Sequence, residues 1–101
     1  MAYLGLADSL KGMQKIDKAI EAYSKVIELD AVSQSVGLMK RGLLYMQLKQ
    51  NDKALTDFNL LVTITEENPH DSSTSLSKAY FYKAKALKKL NNMNDSVIYF
   101  E

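Results

Sequence analysis

Few side chains in this sequence could carry out chemistry, and they stand apart from one another. His70 is the only histidine, and the chain has no cysteine. A lone histidine beside Pro69 has no thiolate or carboxylate cluster with which to hold a metal ion, so we interpret it as a solvated loop residue and expect no metal and no cofactor. Ser72, Ser73 and Ser75 have no second histidine to activate them as nucleophiles, and helix capping is their more typical role. The sequence therefore favours a protein that is not an enzyme.

The remaining polar residues point toward recognition rather than catalysis. The four glycines form no phosphate-binding motif, so we expect no small-molecule substrate. Thirteen basic and twelve acidic residues give a net charge of +1, which gives no reason to expect nucleic acid or a membrane surface as partner. Five lysines lie between residues 76 and 90 without an acidic residue among them. Such a run is either a solvated helix face or the basic end of a recognition surface.

Length and composition indicate one domain of a cytoplasmic protein. The chain has 101 residues, 47% of them hydrophobic and 25% charged, which is ordinary for a single globular domain. No segment approaches the roughly 18 apolar residues of a membrane span. The first ten residues, MAYLGLADSL, have no basic region before an apolar run, and Asp8 interrupts that run. The absence of cysteine is compatible with a reducing compartment.

A recurring pattern of small and aromatic residues predicts which elements position these side chains. The segments QKIDKAIEAY and KQNDKALTDF are 35 residues apart, and a pair of small residues 12 apart recurs three times with an aromatic ring four residues later. Small residues allow two helix backbones to cross at about 8 to 10 Å. The pattern therefore predicts antiparallel helix pairs. The three sets are Ala7, Ala19 and Tyr23; Gly42, Ala54 and Phe58; and Ala84, Ser96 and Phe100.

The spacing predicts where the helices lie. We expect helices over about 2–13, 17–29, 35–48, 52–65 and 73–90, and a last helix that begins near Asn94. The interval from Gly42 to Ala84 is 42 residues instead of 35, and the surplus falls in the segment EENPHDSSTS. Because Pro69 stops a helix, we expect a long loop there, over about 66–75.

At these positions the chain resembles the tetratricopeptide repeat family. The resemblance implies an all-α fold of antiparallel helix-turn-helix repeats stacked in a right-handed superhelix, with repeat one at about 1–33, repeat two at about 34–67 and an incomplete repeat three at about 76–101. We expect a single repeat domain cut from a longer array. The residues that carry the match are Tyr3, Leu6, Ala7, Leu10, Ala19, Tyr23, Gly42, Tyr45, Ala54, Phe58, Tyr80, Ala84, Leu87, Ser96 and Phe100.

Some positions depart from the family's pattern. The leucine that usually precedes the small residue of the first helix is present as Leu6, but Arg41 and Lys83 stand at the next two places. Val26 and Leu61 replace a smaller residue that is usual in the second helix. These differences predict altered packing between neighbouring repeats.

The resemblance also implies a function: such superhelices bind peptide segments of other proteins on a concave surface lined by the first helix of each pair. We therefore predict a protein-binding scaffold or adaptor whose groove is apolar toward the first repeat and basic toward the third. That groove suits a protein or peptide partner with apolar anchors and acidic flanks. The predicted groove residues are Leu4, Asp8, Met39, Lys40, Leu43, Met46, Lys78, Phe81, Tyr82, Lys85 and Lys89.

Several alternatives stay open at this point. Leu4, Met39, Leu43 and Phe81 could pack on one another instead of binding a partner. The chain could be a structural segment that self-associates through an open end at residues 94–101. Two less favoured readings are a co-chaperone clamp and an RNA-binding repeat. The places that hold the clamp in co-chaperones carry Leu4, Asp8, Lys40, Lys78 and Tyr82 here. Of these, only Lys78 matches in kind, and the net charge of +1 does not suit RNA binding.

Overall fold

The described residues form five helices that pack in neighbouring pairs. The computed structural model describes the backbone of residues 2–29, 33–67 and 76–100 and the side chains of 3–29, 33–67 and 76–91. Each helix packs against the next one along the chain, and α3 also contacts α5. The described part of the chain is all-α, as predicted. The helices are α1 (Ala2–Gly12), α2 (Ile16–Leu29), α3 (Gln34–Gln47), α4 (Asn51–Glu67) and α5 (Leu76–Phe100).

The turns that close the first two pairs are the same structure, 35 residues apart. Gln14 and Lys49 adopt left-handed conformations, with φ of 63° and 62°. At the first turn the backbone N–H of Lys15 donates to the Leu10 carbonyl at 2.9 Å. At the second turn the backbone N–H of Gln50 donates to the Tyr45 carbonyl at 2.8 Å. These hydrogen bonds are those of a Schellman motif, which satisfies the last carbonyls of a helix. The repeated sequence thus specifies a repeated turn.

Replacing Lys49 with glycine should raise the free energy of unfolding. A side chain in the left-handed region costs about 1 to 2 kcal/mol, and glycine's greater freedom in the unfolded chain offsets about 0.4 to 1 kcal/mol of the gain. We expect a net increase of about 0.5 kcal/mol, measured by urea denaturation. Lys53→Gly is the matched control, because Lys53 lies within α4, where glycine costs about 1 kcal/mol. A destabilised Lys49→Gly chain would contradict the assignment of the turn.

In the first two helix pairs the small residues lie where the helices cross, as the sequence predicts. The predicted third crossing, of Ala84 with Ser96, is not formed, because both residues lie on the continuous helix α5. Ala7 and Ala19 are fully buried in one cluster with Tyr23. At Gly42 the helix approaches so closely that a Cβ atom would lie 2.5 Å from Cε1 of Phe58. The Phe58 ring therefore packs directly on the backbone at Gly42, and only glycine leaves room for that contact.

Helix α5 packs on α4 in the way that α3 packs on α2. Among the described side chains of α5, Ala79 and Ala86 are buried, and they share a cluster with Phe58 and Leu61 of α4. Forty-two residues earlier, Gly37 lies against Val26 and Ile27 of α2, and Leu44 is buried with Tyr23. The start of a third repeat is therefore present, in the register set by the 42-residue interval.

The end of α5 differs from our prediction. We expected a helix that ends near Leu90 and another that begins near Asn94, but α5 is continuous to Phe100. Its sequence contains no glycine or proline to interrupt the helix. Asn91, which stands 42 residues after the left-handed Lys49, is helical instead. Within the described residues, the third repeat therefore has a first helix and no separate second helix.

Two other predictions concern the segment between α4 and α5. Helix α4 continues to Glu67, so the first two residues of the predicted loop are helical. The rest of that loop, with Pro69, His70 and the three serines, lies outside the described residues, so the loop itself stays a prediction there.

Candidate protein-binding surface

Two charged residues of the predicted groove neutralise each other. Lys40 of α3 donates to the carboxylate of Asp8 of α1, with Nζ 2.8 Å from Oδ1. The hydroxyl of the buried Tyr23 donates to the same carboxylate. The three side chains link α1, α2 and α3 at the start of the groove. Because the charges are paired, this part of the surface presents little net charge to a partner.

This pairing shifts the acidity of its members. Burial alone would raise the pKa of Asp8, but the hydrogen bonds from Lys40 and Tyr23 and the nearby charges of Lys40 and Lys11 lower it below its usual range. Burial raises the pKa of Tyr23, and the hydrogen bond to the Asp8 carboxylate raises it further. Both shifts favour the ionised carboxylate beside a neutral tyrosine.

The stabilisation that Asp8 provides should depend on pH. A carboxylate whose pKa is lowered on folding stabilises the protein above its unfolded value of 3.8 and loses that contribution as the pH falls through the folded value. We expect the wild-type chain to melt at a higher temperature than Asp8→Asn at pH 7, and the two melting temperatures to converge as the pH falls through the folded pKa of Asp8. Melting curves across this range test the prediction. A constant difference between the two proteins would contradict it.

Most of the apolar groove residues also serve the core. Leu4 packs against the first cluster beside Tyr23, and Met39, Leu43 and Tyr82 pack half-buried against the second cluster. Met46 is only 9% exposed, which corrects its assignment to the groove surface, because the second cluster joins α3 to α4 and α5 at this turn. For these residues the alternative of internal packing describes their principal contacts.

Phe81 is the apolar side chain of the predicted groove that remains open. It is 60% exposed, and its ring lies edge-on to Tyr82 with ring centroids 5.5 Å apart. Tyr82 in turn stacks on the buried Phe58, at 5.6 Å and an interplanar angle of 21°. The Phe81 ring is thus connected to the core through Tyr82 and Phe58.

Three lysines lie on the same face of α5 as the Phe81 ring. Lys78, Lys85 and Lys89 are exposed, and their spacing places them on the face of α5 that carries Phe81. We call Phe81 with these three lysines the basic ledge. An exposed aromatic ring among cations suits an apolar anchor with acidic neighbours. These four belong to the eleven predicted groove residues, and all four are exposed.

Sequence reasoning missed an ion pair that joins three helices. The guanidinium of Arg41 donates to the Asp57 carboxylate through Nε at 2.9 Å and Nη2 at 2.6 Å, and through Nη1 to Ser24 Oγ at 3.0 Å. The hydrogen bond to Asp57 raises the pKa of Arg41. The signal in the sequence was the arginine at a place where the family usually has leucine. Asp57 gave no corresponding signal, because its burial depends on the partner helix.

Neither a metal-binding group of side chains nor a membrane-spanning helix occurs among the described residues. Among them, no group of three or more histidine, cysteine, aspartate or glutamate side chains could hold a metal ion. None of their helices is long and apolar enough to cross a membrane.

Comparison with known proteins identifies the repeats. A family model described as tetratricopeptide repeat matches residues 2–32 and 37–68, which together span more than half of the chain. The first stretch contains α1 and α2, and the second contains α4 and all but the first turn of α3. No curated protein and no solved structure matches the chain.

Proposed function

Because the chain belongs to the tetratricopeptide repeat family, a family of non-catalytic repeats that generally mediate interactions between proteins, we propose that it binds a segment of a partner protein at the basic ledge. The observation that carries this proposal is the exposure of Phe81, which is 60% open to solvent among three exposed lysines. Aromatic side chains are enriched at protein–protein interfaces relative to the rest of the protein surface. The chain would act as an adaptor within a larger protein.

The aromatic ring of the ledge packs against other rings of the chain itself. The Phe81 ring contacts Tyr82, and Tyr82 stacks on Phe58, which is fully buried. A side chain that is already held in place loses less conformational entropy on binding. An aromatic anchor of this kind supplies more binding energy than the polar contacts around it. The preferred partner is therefore an extended or helical segment with an apolar residue and flanking acidic residues.

The paired charges narrow the choice of partner further. The co-chaperone clamp requires free cations in the first helices, but Lys40 is paired with Asp8 at 2.8 Å. An incoming carboxylate would meet Asp8 as a like charge. We therefore propose that the acidic residues of the partner bind near α5, and that α1 does not bind a C-terminal carboxylate of the partner.

Loss of the ledge should weaken binding by roughly tenfold or more, which is about 1.4 kcal/mol. The test variant is Phe81→Ser with Lys85→Glu, which removes the anchor and reverses a charge. The matched control is Leu29→Ser with Lys25→Glu, the same chemistry at the same four-residue spacing on the exposed surface of α2. Partners are captured from cell extract, identified by mass spectrometry and then titrated as purified segments against each variant. Raising the salt concentration should weaken binding to the wild-type chain.

The control separates the possible results. Binding that is lost in the test variant and kept in the control supports the ledge. Equal binding by wild-type and test variant contradicts the proposal. Circular dichroism must first show that all three proteins are equally helical, since each substituted residue is at least partly exposed.

Self-association through residues 94–101 stays a prediction. The side chains of residues 92–101 lie outside those that the structure describes, so their contacts cannot be argued from it. Sedimentation of the chain over a range of concentrations tests this alternative, because an assembly surface produces a concentration-dependent increase in mass.

A further inference from the structure

The two turns that close the first helix pairs lie at one edge of the helix stack. Helices α1 to α4 are joined by short connections and pack in chain order, so α1 and α3 run in the same direction and end at the same edge. We call this the turn edge, and it comprises residues 11–18 and 47–53. Its charged side chains are all exposed. They are Lys11, Lys15, Asp17, Lys18, Lys49, Asp52 and Lys53.

The turn edge is basic, because its lysines outnumber its aspartates by five to two. Helix α5 extends this character. Ala86 is buried 42 residues after the buried Leu44, so the exposed Lys88 lies at the level of the end of α3. Lysines that gather at one place produce a positive potential there, whatever the net charge of the whole chain.

The ends of α2 and α4, at the opposite edge of the stack, are acidic. The last turn of α2 contains Glu28, the last turn of α4 contains Glu66 and Glu67, and neither turn has a basic residue. Lys78, in the first turn of α5, is a basic residue at that edge. The net charge of +1 is therefore an average over edges of different charge, and it does not describe what the turn edge presents to a partner.

Each turn also exposes one large apolar side chain. Met13 is 57% exposed and Leu48 is 37% exposed, and they occupy equivalent positions 35 residues apart. Lys11 and Lys15 lie on either side of Met13 in the sequence, and Lys49 directly follows Leu48. Apolar side chains that enter the headgroup layer and cations that attract anionic lipids are the two contributions that hold a protein at a membrane surface.

Nucleic acid suits this edge less well than lipid. Arginine recognises phosphate groups through paired hydrogen bonds, and single strands stack on exposed aromatic rings. Residues 11–18 and 47–53 contain neither arginine nor an aromatic residue. The Tyr45 ring, in the last turn of α3, is half-buried and already has the cations of Arg41 and Lys53 at 5.8 and 5.7 Å from its centroid.

The surface of an acidic protein also suits the edge less well. Protein interfaces have a well-packed apolar centre of complementary shape, whereas Met13 and Leu48 belong to different turns and each lies beside its own lysines. Neither side chain is part of the two hydrophobic clusters. A fluid headgroup layer accepts separate apolar side chains, because it has no fixed shape to match.

We propose that the turn edge binds the surface of a membrane that contains anionic lipids. Met13 and Leu48 enter the headgroup layer, and the lysines of both turns lie beside the lipid phosphates and carboxylates. The helices then stand with their ends toward the membrane, so the side of α5 that carries the basic ledge stays open to a partner protein. The turn edge shares no residue with the basic ledge, and the proposal therefore goes beyond the function proposed above.

Cosedimentation with vesicles tests the charged part of the proposal. The full chain should bind vesicles of phosphatidylcholine mixed with phosphatidylserine, should not bind phosphatidylcholine alone, and should dissociate as the salt concentration rises. Lys15→Glu with Lys49→Glu should weaken binding about tenfold or more, because each lysine near an anionic surface contributes to the attraction.

The matched control for that variant is Lys25→Glu with Lys78→Glu. It changes the net charge by the same amount at exposed positions outside the turn edge. Its affinity for the mixed vesicles should stay within about twofold of the wild-type value, because salt screens distant charges. Circular dichroism shows whether both variants are as helical as the wild-type chain.

A single labelled thiol tests the apolar part, since the chain has no cysteine. Met13→Cys and Leu29→Cys are each labelled with a fluorophore whose emission depends on polarity. The two positions are 57% and 58% exposed and lie at opposite ends of the first helix pair. Addition of the mixed vesicles should shift the emission to the blue at position 13 and leave it unchanged at position 29.

Four outcomes would overturn the proposal. The first is failure to bind the mixed vesicles, or equal binding to both vesicle compositions. The second is undiminished binding by Lys15→Glu with Lys49→Glu. The third is an emission shift at position 29 and none at position 13. The fourth is tight binding to single-stranded RNA or to polyglutamate without a shift at position 13 on vesicles, which would identify nucleic acid or an acidic protein as the occupant. The vesicles contain no protein, so none of these results depends on the basic ledge.

Discussion

Replacing Asp57 with alanine should lower the free energy of unfolding by about 3 kcal/mol, because it leaves the Arg41 guanidinium partly buried without its partner. The Asp57 side chain is 4% exposed and that of Arg41 is 20% exposed. Arg41 makes two hydrogen bonds to Asp57, at 2.9 and 2.6 Å, and these cannot be replaced by a methyl group. Urea denaturation measures the loss.

Removing both partners should restore most of that stability. At the positions 35 residues earlier, the first repeat has Leu6 and Ala22 in place of Arg41 and Asp57. The double variant Arg41→Leu with Asp57→Ala therefore copies a solution that the chain already uses. Replacement of a buried ion pair by apolar residues is often neutral or stabilising. A double variant as unstable as Asp57→Ala alone would show that the ion pair itself, and not the unpaired charge, accounts for the effect.

Replacing Gly42 with alanine should lower the free energy of unfolding by about 2 kcal/mol, as is typical of overpacking. The added Cβ would lie 2.5 Å from Cε1 and 2.8 Å from Cζ of Phe58. Phe58 is fully buried and stacks on Tyr82, so its ring has little room to retreat. Thermal or urea denaturation detects the loss, although alanine is favoured over glycine within a helix by about 1 kcal/mol.

Gly5→Ala is the matched control for that prediction. Gly5 lies within α1, and a Cβ there would have no atom within 4 Å. Helix propensity alone then applies, so we expect stabilisation of up to about 1 kcal/mol. If both substitutions stabilise the chain, the close contact between Gly42 and Phe58 is not a constraint on the second repeat.

The helix pairs could be predicted because their signals are local and repeated. A close helix crossing needs a small residue on each helix of the pair. The 12-residue spacing of Gly42 and Ala54 recurs with Ala7 and Ala19. The turns follow the same period, with left-handed residues at Gln14 and Lys49. The chain has to meet the same steric requirement in each repeat, so the same residue types return.

The groove was harder to predict, because a helical wheel shows which way a side chain points but not whether another helix covers it. Met39 and Met46 lie on one stripe of α3, yet Met39 is half-buried and Met46 is buried. Asp8 and Lys40 are 32 residues apart in the chain, and their pairing at 2.8 Å depends on how α1 and α3 are brought together. The four residues of the basic ledge are exposed, and Asp8 is exposed but paired with Lys40.

Periodicity therefore predicts the first two helix pairs, their crossing residues and the family of this chain, since each depends on spacing along one helix or across one short turn. Three features depend on distances between elements that are far apart in the chain: the Arg41–Asp57 pair, the Lys40–Asp8 pair and the burial of Met46. A side chain can be neutralised, covered or left exposed only by what packs beside it. In a stacked repeat that neighbour belongs to another hairpin, and the three-dimensional arrangement alone decides which residues remain available to a partner.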